Sequence, residues 1–377
     1  MKTGTPFVFG RVADSDNFVD RDVERQRLAA NFSTLTNTVI VSPRRWGKSS
    51  LVHRVAQDAL AADSRMRICQ IDLFNVRSED DFYAHLATGV MRATVSKWDE
   101  WVDAAGRFLS HLRPLVTVSP DTTQTISLDV DWHEATKDPD DVLDLVENIA
   151  QSKKLHVVVC IDEFQSVAGF DDPEAFQRKL RAHWQHHQHV CYCLYGSRRH
   201  MLLDVFSNPE RPFYRFGDVM ALGKIDNAIW GDFIASRFAA TGKSATAEQG
   251  RQIATLVDNH SYYVQQLAQQ VWFRTTKTCQ DGAIAAAWDD LTDQLGLVFT
   301  VLADSLSTRQ LSFLRAVIDG QPALTGQATL RTYNLGTSAN VSRIQKALTD
   351  RDIIEADAGR PQFLDPMFRH WLETRYF

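Results

Sequence analysis

Apolar and polar positions follow two different periods along the chain, and the change from one to the other divides it. The β-branched run Thr38-Val39-Ile40-Val41 meets a polar loop, Ser42 to Gly47, after which Leu51, Val52, Val55, Ala56 and Leu60 recur at i, i+3, i+4 spacing. That predicts strand, loop, helix. Further strands are predicted over 67–74, 156–161 and 190–195, with a helix over 173–187 before the last. The segment 156–161 is almost continuously apolar, as a parallel strand covered on both faces must be. Strands alternating with helices indicate a parallel α/β sheet. Residues 97–150 interrupt the rhythm: a helix carrying Trp98 and Trp101 is predicted first, its tryptophans read as core or interface rather than a base-stacking platform. Leu115–Val118 and Thr125–Leu128 then flank Ser119-Pro120-Asp121 and predict a hairpin inserted into the sheet topology.

After Leu222 the strand signal fades. Residues 225–288 read as successive amphipathic helices with breaks near Gly242 and Asn259. From Ser307 three helices are predicted (309–318, 327–333 and 338–347), followed by strand-like pieces at 353–355 and 361–364, which are the parts of a winged helix. The expected domains are therefore an α/β core over 1–224, a helical lid over 225–300 and a winged helix over 301–377.

Composition narrows the function classes. With 377 residues, 44% hydrophobic and 23% charged, the chain can fold as two or three domains. Its 41 Lys and Arg against 47 Asp and Glu leave a net charge of −6 and no global basic field for nucleic acid. Residues 301–377 hold nine basic against eight acidic side chains. Asn340, Arg343 and Lys346 offer a DNA-reading set on the third helix. That charge balance nevertheless favours a winged helix that packs on protein over one that binds DNA. Five cysteines without Cys-x-x-Cys spacing imply neither a disulfide framework nor a zinc ribbon. With no signal-peptide pattern and no apolar run of about 18 residues, a cytoplasmic protein without membrane contact is expected.

The loop Ser42-Pro43-Arg44-Arg45-Trp46-Gly47-Lys48-Ser49-Ser50 matches G-x-x-x-x-G-K-[ST] except that Ser42 replaces the first Gly. A phosphate cradle needs converging backbone N–H groups, a glycine where a side chain would collide with the anion, and a helix N-terminus. Pro43 through Ser50 are thus the candidate ATP-binding residues, with Lys48 for the β- and γ-phosphates and Ser49 for Mg²⁺. The strand over 156–161 runs into Asp162-Glu163, carboxylates at the strand end where ligands of open α/β sheets bind. Asp162 is expected to hold Mg²⁺ and Glu163 to polarise the attacking water. The strand over 190–195 runs into Gly196-Ser197-Arg198-Arg199, so Ser197 or Arg198 is placed to sense the γ-phosphate. By contrast, Gly242-Lys243-Ser244 follows a helix and no strand, and Gly242 reads as a helix C-terminal residue. His183, His186, His187 and His189 read as a solvated helix end, since no carboxylate lies nearby in sequence.

Phe7-Val8-Phe9-Gly10, Phe18-Val19-Asp20-Arg21, the loop at 43–51, Ile161-Asp162-Glu163-Phe164-Gln165, Pro212-Phe213-Tyr214-Arg215, Tyr262–Leu267 and Asp365-Pro366-Met367-Phe368 together resemble the archaeal-type P-loop ATPases of the AAA+ and STAND-like branch, across essentially the whole chain. The resemblance implies a P-loop NTPase sheet, a helical lid and a winged helix. It also implies that Phe18 and Val19 line an adenine pocket and that Tyr262 contacts nucleotide from the lid; Asn259 and Ser261 stand where the family has Gly and Pro. Arg211 and Arg215 would face a neighbouring subunit's nucleotide. The expected activity is Mg²⁺-dependent ATP hydrolysis by a switch that acts on a protein partner, with homo-oligomer formation open. The alternatives are an ATP-responsive DNA-binding regulator and a nucleotide-binding scaffold without turnover.

Overall fold

A computed structural model describes residues 5–13, 17–95, 114–118, 126–130, 140–357 and 360–377. The chain divides into two compact units, Arg21–Gly223 and Met1–Asp20 with Lys224–Phe377.

The first unit is built on a parallel sheet of β1 (Thr38–Val41), β2 (Met66–Asp72), β5 (His156–Asp162), β6 (Val190–Gly196) and β7 (Asp218–Ala221), in the order β2-β5-β6-β1-β7. All four residues of β1 and all seven of β6 are buried, which is why these strands read as apolar runs. β7 was not legible in the pattern: it has four residues, two of them exposed. Parallel register pairs Ile40 with Tyr195 and Ile161 with Leu194, so β1, β6 and β5 end side by side on one edge. Helices α1 (Asp22–Ser33), α2 (Lys48–Ala62) and α3 (Glu79–Thr94) follow the rules of helix starts: Ser78 accepts from the Asp81 N–H, and three acidic residues fill the first turn of α3. After β3 (Pro114–Val118) and β4 (Ile126–Val130), an antiparallel pair separate from the main sheet, come α4 (Asp140–Leu143), α5 (Leu145–Lys153), a 3₁₀ turn at Phe164–Gly169, α6 (Pro173–Trp184) and α7 (Arg199–Ser207). The predicted hairpin is therefore present. The predicted helix with Trp98 and Trp101 lies outside the described residues.

The second unit starts with helices α8 (Asn227–Ala239), α9 (Ala247–Leu256), α10 (Ser261–Arg274) and α11 (Asp281–Asp304). α8 and α9 touch backbone to backbone: a Cβ on Gly231 would lie 2.7 Å from the Ala247 carbonyl oxygen. Gly242, at φ +75°, ends the turn after α8, and Lys243 lies over the Trp272 ring at 3.9 Å, so this Gly-Lys-Ser is structural. Then follow α12 (Thr308–Ile318), α13 (Gln327–Thr332), α14 (Ser338–Asp350), the hairpin β8 (Ile354–Asp357) and β9 (Arg360–Phe363), and α15 (Pro366–Trp371), the expected three helices and wing. Residues near the N-terminus pack here, with Phe7 against Phe233 and Phe238 and the Pro6 carbonyl accepting from Arg237 at 2.7 Å. Asp365 caps α15 and accepts from the Tyr263 hydroxyl at 2.6 Å, which gives the Asp-Pro-Met-Phe run a structural reason. Among the described residues no helix is long and apolar enough to cross a membrane.

Candidate functional site

The site lies on the edge where β1, β6 and β5 end. Chain leaving β1 turns through Ser42 and Pro43, both buried, then through exposed Arg44 and Arg45, and reaches α2 by way of Trp46 and Gly47. Arg45 (φ +64°) and Gly47 (φ +94°) are left-handed, and the place of a Cβ on Gly47 is open space with no atom within 4 Å. A side chain there would occupy the cradle over the helix start, so the glycine serves both the turn and the opening. Ser42, in place of the motif's first Gly, is fully buried and donates its hydroxyl to the Pro43 carbonyl at 3.1 Å; the small polar side chain is absorbed inside the loop.

Lys48 and Ser49 open α2 and meet the end of β5. The Ser49 hydroxyl donates to Asp162 Oδ2 at 2.9 Å, and Lys48 Nζ stands 3.9 Å from Glu163 Oε1. Asp162 Oδ1 accepts from the Glu163 N–H at 2.8 Å. Glu163 is left-handed (φ +53°), the point at which the chain leaves β5 for the 3₁₀ turn. Its Oε2 accepts from the Ser197 hydroxyl at 2.9 Å, from the Ser197 N–H at 3.3 Å and from the Gln165 amide. Arg44 Nε donates to the Ser197 hydroxyl at 3.2 Å, joining the loop to the end of β6.

Burial governs the charges. It pulls the Lys48 ammonium below its ordinary value, against Glu163 and Asp162. Burial also pushes the Asp162 carboxyl up, further than Lys48 and the Ser49 hydroxyl pull it back. On Glu163 burial acts upward but is outweighed by Lys48 and by donors from Gln165 and Ser197, so this carboxyl is held low. Neighbouring carboxylates thus have opposite tendencies, a separation that marks functional sites.

Of the residues singled out by sequence, Arg44, Lys48, Ser49, Asp162, Glu163 and Ser197 form one connected group, with Pro43, Arg45, Trp46, Gly47 and Ser50 in the loop and helix start that carry it. Arg198 immediately precedes α7 and donates to the Met201 sulfur at 3.7 Å. Phe18, Val19 and Tyr262 belong to the other unit. There Val19 is buried, Phe18 is half-buried, and Tyr262 meets Phe9 edge-on with centroids 5.6 Å apart. Arg211 pairs with Asp204 at 2.8 Å, whereas exposed Arg215 lies over the Tyr214 ring at 5.1 Å. Two residues of the quoted motifs had no role assigned from sequence. Gln165, 5% exposed, was visible only as a neighbour of the acidic pair. Arg21, also 5% exposed, donates to the Gly223 carbonyl at 2.6 Å and pairs with Glu24 at 2.9 Å; its left-handed φ of +73° left no mark in the pattern.

The histidine reading needs correcting. His183 Nδ1 and His187 Nε2 lie 2.9 and 3.1 Å from Asp144 Oδ1, and His189 Nδ1 is 2.8 Å from Glu147, so carboxylates at the start of α5 do meet this helix end. The histidine nitrogens converge on an oxygen, and among the described residues no cluster able to hold a metal is found.

Comparison with solved structures places this geometry. The Walker-type ATPase PABY2304 of Pyrococcus abyssi superposes with a TM-score of 0.69 at 15% identity, over 98% of this chain and 99% of that one. The chain has the fold of the Walker-type ATPases. The ORC2 protein of Aeropyrum pernix shares this Walker-type fold with a TM-score of 0.59 at 13% identity, covering 97% of this chain and 96% of that one. Its ADP form gives 0.56 at 13% identity over 99% and 100%. A family described as a probable winged helix domain matches residues 297–374. No curated protein matches the chain.

Proposed function

We propose that the chain binds ATP with Mg²⁺ at this sheet edge and hydrolyses it, as a cytoplasmic switch that acts on a partner protein. One observation carries the reading: Ser49 and Asp162, 113 positions apart, meet at 2.9 Å beside the Gly47–Lys48 turn, as phosphate and metal binding require. The donor set fits the ion, because a hydroxyl and a carboxylate are the hard oxygen ligands that Mg²⁺ takes. When bound, Mg²⁺ would supply charge neutralisation at the phosphate oxygens. Lys48 would hold the β- and γ-phosphates, Glu163 would accept the proton of the attacking water, and Ser197 would hold Glu163 while sensing the γ-phosphate, with Arg198 as a second sensor. The Aeropyrum pernix ORC2 structures, solved with ADPNP and ADP, support nucleotide as the ligand of this fold. Steady-state phosphate release from ATP and Mg²⁺, lost in Lys48→Ala, tests the reading; binding without turnover would leave the scaffold alternative.

A protein partner is favoured over DNA because the DNA-reading set is thin. The Asn340 amide donates to the Leu335 carbonyl at 3.0 Å, and Lys346 pairs with Asp350 at 3.1 Å. Binding to duplex DNA that weakens steeply with salt would support the regulator instead. In a homo-oligomer Arg215, which has no acidic partner among the described residues where Arg211 has Asp204, is the arginine suited to a neighbour's phosphate.

A further inference from the structure

We infer that Gln165 is a positioning residue, clamping Oε2 of Glu163 onto Ser197 so that Oε1 faces Lys48, and that position 196 is glycine because the Gln165 amide fills the place of its Cβ. This rests on the ATPase reading and adds a residue to it.

The two oxygens of Glu163 are treated differently. Oε2 takes three donors, from the Ser197 hydroxyl, the Ser197 N–H and the Gln165 amide, more than its two lone-pair sites require. Among the described residues Oε1 has only Lys48 Nζ at 3.9 Å, beyond hydrogen-bond reach, and it is the oxygen left to take a proton from water. A carboxylate held by one oxygen and working through the other has one orientation instead of several, and orientation is a large part of what a general base contributes.

Gln165 carries a penalty that a packing residue would avoid. Its side chain is 5% exposed, and its Oε1 has no hydrogen-bond partner among the described residues. An apolar side chain of the same volume would bury no orphaned oxygen, so the amide is present for its N–H. The reverse amide orientation would set its oxygen against the carboxylate, and electrostatics excludes it. Gly196 completes the device. A Cβ there would stand 1.8 Å from Gln165 Oε1, at the last residue of β6, where Ser197 begins its contact with Glu163. Thus β6 contributes one residue that makes room for the clamp and a second that forms half of it.

The test uses the full chain and Gln165→Met, which keeps volume and removes the N–H. Calorimetric ATP affinity and KM should stay within about twofold while kcat falls ~10- to 100-fold, part of what a general base supplies. Gly196→Ala, whose Cβ would meet the Gln165 amide before any other group, should lower kcat similarly. The double variant should be no slower than the slower single one, because both act through one contact. A crystal structure of nucleotide-free Gln165→Met should show the carboxylate turned away from Ser197. Unchanged kcat in Gln165→Met alongside lost turnover in Glu163→Gln would overturn the clamp and leave the ATPase reading intact. A carboxylate still seated on Ser197 in Gln165→Met overturns it whatever the turnover. Intact turnover in Glu163→Gln would instead contradict the ATPase reading.

Discussion

Two partly buried polar clusters sit at opposite ends of the parallel sheet. At the C-terminal ends of β1, β5 and β6, Lys48, Asp162, Glu163 and Ser197 gather beside an open glycine turn. Near the start of β6, Tyr192, His187, His183 and Asp144 gather beneath a Trp184–Tyr192 stack with ring centroids 3.9 Å apart. Composition does not tell them apart, since each holds acids and bases. Satisfaction does. At the second cluster both nitrogens of His187 are used, one on Tyr192 at 2.9 Å and one on Asp144 at 3.1 Å. At the first, Lys48 and Glu163 Oε1 stop 3.9 Å apart beside the open turn at Gly47. A matched polar cluster supports a fold, whereas an incompletely matched one at a strand's C-terminal end is prepared for something from outside.

The comparison breaks if mutations at the two ends have the same effects. Lys48→Ala should have the largest: ATP affinity should drop about 100-fold or more by calorimetry, the loss of a charge-assisted contact to phosphate, with urea stability little changed. His187→Ala should do the opposite. It leaves the Tyr192 hydroxyl, fully buried, without this partner and should cost about 2 kcal/mol in urea unfolding of this unit, with ATP affinity unaltered. A shared loss of affinity would remove the distinction between the clusters.

Acidity gives a smaller handle. Burial holds His187 below its ordinary value despite the pull of Asp144 and Glu147, with His183 adding to the lowering. For Asp144 burial acts upward and is outweighed by hydrogen bonds from His187 and His183, leaving it low. Unfolding lets His187 take up a proton near pH 6.5, so its contribution is complete above about that pH and declines as pH falls toward the folded value. The urea midpoint should therefore fall between about pH 7 and 5, and fall less steeply in His187→Ala. Equal slopes would assign the pH dependence elsewhere.

Legibility followed periodicity and failed where contacts joined distant segments. Strands β1, β2, β5 and β6 and the elements of the winged helix showed in the spacing of apolar residues, and the loop at 42–50 carried its chemistry in its residue types. Strand β7 did not, because four residues with a mixed face give no period. Sheet order, which sets β6 between β5 and β1 and so brings Ser197 beside Glu163, is a property of pairing and not of any one segment. Asp144, the carboxylate that meets both His183 and His187, lies 39 and 43 positions from them, beyond any local window. Gln165 was adjacent to a motif, yet its role depends on a glycine 31 positions on.

The most direct measurement is made on Glu163→Gln, with ATP affinity by calorimetry and phosphate release at saturating ATP and Mg²⁺ on the same preparation. The account predicts affinity within about threefold of the native chain and turnover lower by ~100-fold or more, since this carboxylate acts on water and not on the bound phosphates. Native turnover in Glu163→Gln, or affinity lost in step with turnover, would contradict it.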